Sequence, residues 1–424
     1  MKRALLVMVV LVLWAAPALA APSGQTLEFW GYDFYDQDHY IIQVTLLATG
    51  DHCRIYGDVT AGVSTATAQA VANRFDDVYE DVTAVYGDPP DVDGDPGIYI
   101  LLTDIRDDYT HDPNAISFVR GYFDPLDETA DPHSNGHEMI YLDVEQQDVT
   151  GLDARRAMAH ELGRMIVWGN DPDEEAWLVE GLGYLAERIN GLSHRSEIAN
   201  YLAAPSVPLT GWTAARPDEG AAYLFLLYVR EQFGDVAIGQ IVSSTEHGLD
   251  SVAEVVGVDR GTLFRRWALA NYLDRSSGVY RYGSLNIVDY DPDERTTFLR
   301  PPSTVVTWPV ENEWVEVSGT LPYHGVAYYR LKAEKSQYSI LVQDRQTEHD
   351  YWFWLPYGAA WVRNDDVLAV NVMGSRSSLG PVVDDRFLLV VGPSREIGPV
   401  EYSFVIRGPG WVFMPVVMRD AQGG

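Results

Sequence analysis

The sequence predicts two folded domains, an α+β domain over residues 21–285 followed by an all-β sandwich over residues 310–424. In the first part, strand-like segments stand between longer segments whose apolar residues recur at helical spacing. In the second part, short strand-like segments follow one another with turns between them, which is typical of a β-sandwich. Residues 286–309 contain an acidic run and a Pro-Pro pair, and they are predicted to form a linker.

The elements of the first domain follow from local patterns. Residues 26–56 have the β-branched and aromatic content of strands, and residues 97–104 and 138–144 are predicted as buried strands. A helix is predicted to begin after Ser64 or Thr65, either of which can cap it, and to end near Tyr86. Further helices are predicted over residues 154–168, 174–189, 220–233 and 262–273.

The first twenty residues predict export. Lys2 and Arg3 precede an apolar run, residues 4–15, that is too short to span a bilayer. Small residues then predict cleavage before Ala21, so residues 1–20 are interpreted as a signal peptide and the mature chain as a secreted, extracellular protein. No later segment is long and apolar enough for a membrane span, so membrane insertion is not expected.

Composition limits the partners. The chain has 424 residues and a formal net charge of −32. Such a surface repels nucleic acid and anionic lipid, so neither is expected as a partner, whereas the oligomeric state is not predicted. Cys53 is the single cysteine, which makes an intrachain disulfide impossible. We expect a buried, unreactive thiol, with an interchain disulfide as the alternative.

The residues that carry chemistry lie in two predicted helices. Residues 159–168 read AHELGRMIVW, and residues 177–187 read WLVEGLGYLAE. In zinc peptidases with an HExxH motif, two histidines one helical turn apart bind the ion, and the glutamate between them activates water. Here His160 and Glu161 occupy the first two motif positions, and Arg164 stands in place of the second histidine.

From about residue 53 to residue 285 the chain resembles the hyicolysin-like bacterial metallopeptidases, a branch of the glutamate-zincins. The resemblance implies a zincin-like fold for the first domain and zinc as the cofactor of the family. Carried over residue by residue, it makes His160 and Glu180 zinc ligands and Glu161 the general base. The motifs that carry it stand in the expected order: GIYILLTDIRD (97–107), GYFDPLDE (121–128), EMIYLDV (138–144), AHELGRMIVW (159–168), EEAWLVEGL (174–182) and GAAYLFLLYV (220–229).

The chain departs from the family pattern where activity is concerned. Arginine has no lone pair to give to a metal, and its fixed positive charge repels a dication. The sequence therefore predicts an inactive site without bound zinc, in which Arg164 lies between Glu161 and Glu180 and supplies the positive charge. Three further positions hold Val, Tyr and Glu where the resemblance implies Asn, an acidic residue and Tyr, respectively: Val179, Tyr184 and Glu219.

Three functions remain in competition. The leading prediction is a pseudopeptidase that binds a peptide or an extracellular protein without cleaving it. The second is an active zinc endopeptidase that uses His160 and Glu180 as ligands and Glu161 as base, with His137 as a candidate replacement ligand. The third is a structural or adhesive surface protein that binds through aromatic residues of the C-terminal domain, residues 351–354.

A second metal is a weaker candidate. Asp91, Asp93 and Asp95 stand at alternate positions and resemble a calcium-binding loop. The EF-hand pattern fails, because the glycine is misplaced and the twelfth position holds Leu102 rather than Glu. Calcium is therefore one interpretation of this segment, and a plain acidic turn is the other.

Overall fold

The structure is a computed structural model. It describes residues 24–112, 114–115, 117–274, 276–285, 287 and 314–332, and beyond these the strands named below. The predicted signal peptide, residues 1–20, lies outside the described residues. The chain divides into two compact units, one containing residues up to Asn170 with Ile189–Leu192, the other Asp171–Arg188 with the chain from Ser193 onward. The domain limits predicted from the sequence stay predictions.

A mixed six-stranded sheet forms the centre of the first unit. Its spatial order is β1-β2-β3-β4-β6-β5. β1, β2 and β3 pair antiparallel, β3, β4 and β6 pair parallel, and β5 pairs antiparallel with β6. The strands are β1 (Thr26–Asp33), β2 (Asp38–Thr49), β3 (Cys53–Asp58), β4 (Ile98–Thr103), β5 (Gly121–Tyr122) and β6 (Met139–Asp143).

Helices α1 (Thr65–Tyr86), α2 (Asp108–His111) and α3 (Leu152–Asn170) accompany this sheet. The Ser64 hydroxyl accepts a hydrogen bond from the Thr67 N–H at 3.1 Å and caps α1, as predicted. α1 packs against β2, β3 and α3, and α3 packs against β5 and β6. Cys53 is fully buried beneath α1, and burial raises the pKa of its thiol to about 12, so the expected inert thiol is confirmed.

A buried polar cluster ties the outer strand of the sheet to a later loop. The Asn135 side chain accepts a hydrogen bond from the Trp30 N–H at 2.8 Å and donates to the Trp30 carbonyl at 3.0 Å. It also donates to the Asp127 carboxylate at 2.7 Å, and the Tyr141 hydroxyl donates to the same carboxylate at 2.6 Å. Despite these donors, burial raises the pKa of Asp127 to about 7.

The described helices of the second unit confirm the predicted long ones and add three that the patterns did not predict. The additions, α5, α7 and α8, have eight or nine residues and no side-chain hydrogen bond at their N-caps, so neither periodicity nor a capping residue marks them. No helix among the described residues is long and apolar enough to cross a membrane. The helices are α4 (Ala176–Ile189), α5 (Arg195–Ala203), α6 (Arg216–Phe233), α7 (Asp235–Val242), α8 (Gly248–Val256) and α9 (Arg260–Leu273).

The chain after residue 289 is described as strands. They are β7 (Tyr290–Asp291), β8 (Thr296–Thr297), β9 (Ser303–Thr307), β10 (Trp314–Leu321), β11 (Ala327–Lys332), β12 (Gln337–Leu341), β13 (His349–Leu355), β14 (Gly358–Val362), β15 (Ala369–Met373), β16 (Phe387–Pro393) and β17 (Val400–Arg407).

Most of these strands belong to two sheets, with orders β10-β17-β12-β15 and β14-β13-β16-β11-β9, and β7 pairs with β8. The stacking of the two sheets as a sandwich stays a prediction. The linker prediction over residues 286–309 did not anticipate β9, which pairs in parallel with β11. The β-branched sequence STVVT of β9 favours a strand and outweighs the Pro301-Pro302 pair just before it.

Candidate functional site

Helix α3 carries three of the four residues that the sequence assigns to the site. The helix is held by apolar side chains that are completely buried, among them Met158, Leu162 and Ile166. Glu161 is buried as well, with 6% of its surface exposed, whereas His160 and Arg164 are half-buried. A buried carboxylate needs hydrogen-bond donors or a cation nearby, since an uncompensated charge in the interior is costly.

Two donors meet the Glu161 carboxylate at the same oxygen, Oε2. The Phe123 N–H donates to it at 3.1 Å, and an Arg164 Nη donates to it at 2.8 Å. The first donor comes from the chain directly after β5. Gly121 in this strand lets the backbone approach closely, because a Cβ there would lie 2.6 Å from the Tyr141 carbonyl and 3.1 Å from the Ala157 side chain. The sheet edge and α3 thus position the site together.

The ion pair between Arg164 and Glu161 follows from helix geometry, since residues three apart lie on the same side of a helix. It agrees with one half of the sequence hypothesis, in which the guanidinium compensates Glu161. The other half concerns Glu180, which belongs to the second unit, and it stays a prediction.

Glu180 lies on α4, whose next residue, Gly181, packs directly on α6. A Cβ at Gly181 would lie 2.8 Å from a Leu226 methyl and 3.1 Å from the Ala222 Cβ. Gly181 therefore lets α4 and α6 approach each other closely. Glu180 also contributes to raising the pKa of Tyr184 on the same helix and of Glu219 on α6, although burial is the larger cause for both.

Tyr184 and Glu219, two of the positions that depart from the family pattern, contact each other. The Tyr184 hydroxyl donates a hydrogen bond to the Glu219 carboxylate. The resemblance implies the reverse arrangement, with the acidic residue on α4 and the tyrosine on α6. Relative to the arrangement that the resemblance implies, the two residue types stand in exchanged positions at Tyr184 and Glu219.

His194, which the sequence analysis did not single out, lies beside this pair. It is 2% exposed, its Nε2 lies 3.3 Å from Glu187, and its Nδ1 lies 3.9 Å from Glu197. Its ring packs edge-on against Tyr184. A lone histidine between two helices carries no sequence signal, and only the packing of α4, α5 and α6 shows its carboxylate partners.

His137, the candidate replacement ligand, has other partners. Its Nδ1 contacts the Asp93 carboxylate, and its ring stacks on Tyr99 with centroids 4.0 Å apart. Asp93 belongs to the loop before β4 and Tyr99 to β4 itself, so these contacts place the His137 side chain beside the acidic loop. The suggestion that it could complete a zinc site with His160 gains no support from these contacts and stays a prediction.

Zinc is the cofactor that the family resemblance implies, and the residues on α3 do not fit it. A catalytic zinc site needs three protein ligands and a general base that is free to take a proton from water. Arg164 cannot ligate a cation, and its guanidinium already pairs with the Glu161 carboxylate at 2.8 Å.

The described residues do bring together one other set of metal-ligand atoms. Carboxylate oxygens of Asp91, Asp93 and Glu138 all lie within 4.8 Å of one another. Asp95, the third acidic residue of the loop, is turned away and pairs with Arg54 at 2.9 Å.

Comparisons with known proteins support a distant relationship to metallopeptidases. Over 150 residues the chain is 29% identical to the neutral metalloprotease ShpI of Staphylococcus hyicus, a match that covers 31% of this chain and 34% of the relative. The chain thus spans about a third of the length of that curated relative. No family model matches the sequence.

Two solved structures give matches with low TM-scores. The M1 zinc metallopeptidase of Deinococcus radiodurans is 14% identical, with 58% of this chain and 61% of that chain covered and a TM-score of 0.31. PliG of Salmonella Typhimurium, a periplasmic inhibitor of g-type lysozyme, is 16% identical, with 25% and 98% covered and a TM-score of 0.19. Scores this low do not establish a shared fold.

Proposed function

We propose that this chain is a secreted, metallopeptidase-related protein that binds peptide without cleaving it. The observation that carries the proposal is the 2.8 Å contact between Arg164 and the buried carboxylate of Glu161. In the family arrangement the positive charge beside this glutamate is a metal ion that also activates water. Here it is a guanidinium, which compensates the carboxylate and offers no site for a nucleophile.

The hydrogen bonds of Glu161 support the loss of its role as general base. Both described donors bind Oε2, so the Phe123 N–H and the Arg164 guanidinium occupy the lone pairs of this oxygen and leave Oε1 as the acceptor for a water proton. The exchange of Tyr184 and Glu219 supports the same conclusion, since it leaves a carboxylate where the resemblance implies a hydroxyl donor.

The position of β5 supports peptide as the ligand class. β5 is the last strand of its sheet, and its second edge pairs with no strand of the described sheet. An extended peptide can add to such an edge through main-chain hydrogen bonds. Phe123 follows β5 directly, so a peptide bound along this edge would run past the Arg164–Glu161 pair.

Zinc stoichiometry tests the proposal. The mature protein is stripped with chelator, reconstituted with zinc, dialysed and measured for bound metal beside an Arg164→His variant. We expect less than about 0.1 zinc per wild-type chain and about one per variant chain, because the variant regains an imidazole one turn after His160. Arg155→His, the same substitution on the same helix, serves as the control and should stay without zinc.

Peptide binding is tested in parallel with wild-type protein. A mixture of peptides is passed over the immobilised protein. The masses of the retained peptides are measured by mass spectrometry and compared before and after incubation with the protein. Retention with unchanged masses supports binding without cleavage. Stoichiometric zinc in the wild type, together with cleaved peptides, would instead establish the active endopeptidase with His160, Glu161 and Glu180. Retention of glycans but not of peptides would favour the adhesive alternative that involves residues 351–354.

A further inference from the structure

The acidic loop before β4 meets a carboxylate from a neighbouring strand. β4 and β6 are adjacent and parallel, so the segments that enter them lie at the same edge of the sheet. Asp91 and Asp93 precede β4, and Glu138 directly precedes β6. The Tyr99 N–H donates to the Glu138 carbonyl at 2.8 Å, which fixes the two segments side by side.

The carboxylates are close enough to share one cation. Ligand oxygens of Asp91, Asp93 and Glu138 lie within 4.8 Å of one another. Calcium–oxygen distances are about 2.3–2.6 Å, so two oxygens on opposite sides of one ion are about 5 Å apart. The three side chains therefore fit a common coordination shell without rearrangement of the backbone.

A second, independent observation concerns Glu138. This residue is 0% exposed, and its Oε1 accepts a hydrogen bond from the Val92 N–H. Its other oxygen, Oε2, is buried and has no hydrogen-bond partner among the described residues. A buried carboxylate oxygen without a donor is strongly unfavourable, and a cation at this position would compensate it.

The nearby positive charges do not compensate the set. Arg54, in β3, pairs with Asp95 at 2.9 Å. Of the three carboxylates, His137 contacts that of Asp93, through its Nδ1.

We propose that Asp91, Asp93 and Glu138 form a binding site for a divalent cation, with calcium as the preferred ion. The ligands are all oxygens, which suits hard cations, whereas zinc favours nitrogen and sulfur. Magnesium demands near-octahedral geometry, which an irregular loop and a strand end supply less readily than the flexible shell of calcium. Glu138 thus supplies the carboxylate ligand that the EF-hand pattern requires at its twelfth position, where this chain has Leu102. The bound ion would connect the loop to the sheet.

Calcium titration of the full mature chain tests this site. Chelator-treated protein is titrated with Ca²⁺, Mg²⁺ and Zn²⁺ by calorimetry, and its melting temperature is measured with and without each ion. We expect one Ca²⁺ per chain and a rise in Tm of about 5–10 °C at a hundredfold excess over the Kd. Glu138→Gln should weaken Ca²⁺ binding at least tenfold, whereas Asp36→Asn, at an exposed site of the same unit, should leave it unchanged.

Two results would overturn the proposal. One is a wild-type protein that releases or absorbs no heat on calcium titration and whose Tm does not change with calcium. The other is a Glu138→Gln variant that binds calcium with the affinity of the wild type. If circular dichroism shows that Glu138→Gln does not fold, Asp91→Asn decides, because this side chain is exposed and its replacement leaves no cavity. The Arg164→His variant should bind calcium as the wild type does, because position 164 is not part of this site. A negative calcium result would therefore leave the proposed function untouched, and the reverse also holds.

Discussion

Replacing Arg164 by Met would remove the guanidinium while keeping most of the side-chain volume. Glu161 would then keep the Phe123 N–H as its described donor and lose its described cation. A hydrogen bond to a charged group contributes about 1.5–3 kcal/mol, and breaking a fully buried ion pair costs about 3–5 kcal/mol. Because the Arg164 side chain is 27% exposed, the lower range applies, and we expect a loss of about 1.5–3 kcal/mol in the free energy of unfolding.

A double-mutant cycle isolates the pair from the other contacts of Arg164. Glu161→Gln keeps an acceptor for the Phe123 N–H and removes the charge, so Arg164→Met should cost less in that background. We expect a coupling energy of about 1–2 kcal/mol, measured by urea unfolding at 25 °C with tryptophan fluorescence and circular dichroism. The exposed pair Arg260–Asp250, with side chains 44% and 60% exposed, provides the comparison cycle and should give about 0.5 kcal/mol or less.

Additive effects at positions 161 and 164 would refute this reasoning. A coupling energy within error of the comparison cycle would mean that the guanidinium does not compensate Glu161. The ion pair would then be a contact without energetic weight, and Arg164 would not stand in for a metal ion beside Glu161.

Two further predictions concern stability. The unfolded chain releases the Asp127 proton near pH 4, whereas the folded chain holds it to about pH 7, so wild-type stability should fall as the pH rises through this window. The free energy of unfolding of Asp127→Asn, measured relative to that of the wild type, should therefore be higher at pH 8 than at pH 4. If urea unfolding gives the same difference between the two proteins at both pH values, this prediction is contradicted. Gly181→Ala should lower the free energy of unfolding by about 1–3 kcal/mol through overpacking against α6, although alanine favours helix. Gly261→Ala, where a Cβ meets only an oxygen 3.5 Å away, should be neutral or stabilising, and equal effects of the two substitutions would exclude overpacking.

Local patterns were sufficient for the long elements. α1 was predicted from its apolar spacing and the Ser64 cap, and α3, α4, α6 and α9 from spacing alone. The Arg164–Glu161 pair was also predictable from the sequence, because two residues that are three positions apart on a helix lie on the same side of it. In each case the deciding interaction spans only a few residues, so the sequence pattern contains the information.

Interactions between distant segments were not predictable in the same way. The site of Asp91, Asp93 and Glu138 depends on the adjacency of β4 and β6, and a search along the loop for a twelfth-position ligand could not find it. The contacts of His137 with Asp93 and Tyr99 depend on the same adjacency of segments. His194 and its contact with Glu187 depend on how three helices pack, which no single segment encodes.

The Asn135 side chain has a consequence for association between molecules. β1 is the outermost strand of its sheet, and an open strand edge is a template for pairing with another chain. By accepting from the N–H of Trp30 and donating to its carbonyl, the Asn135 amide takes the place that one residue of a foreign strand would occupy. One amide side chain, held in place by Asp127 and Tyr141, thereby blocks edge-to-edge aggregation at the centre of this strand.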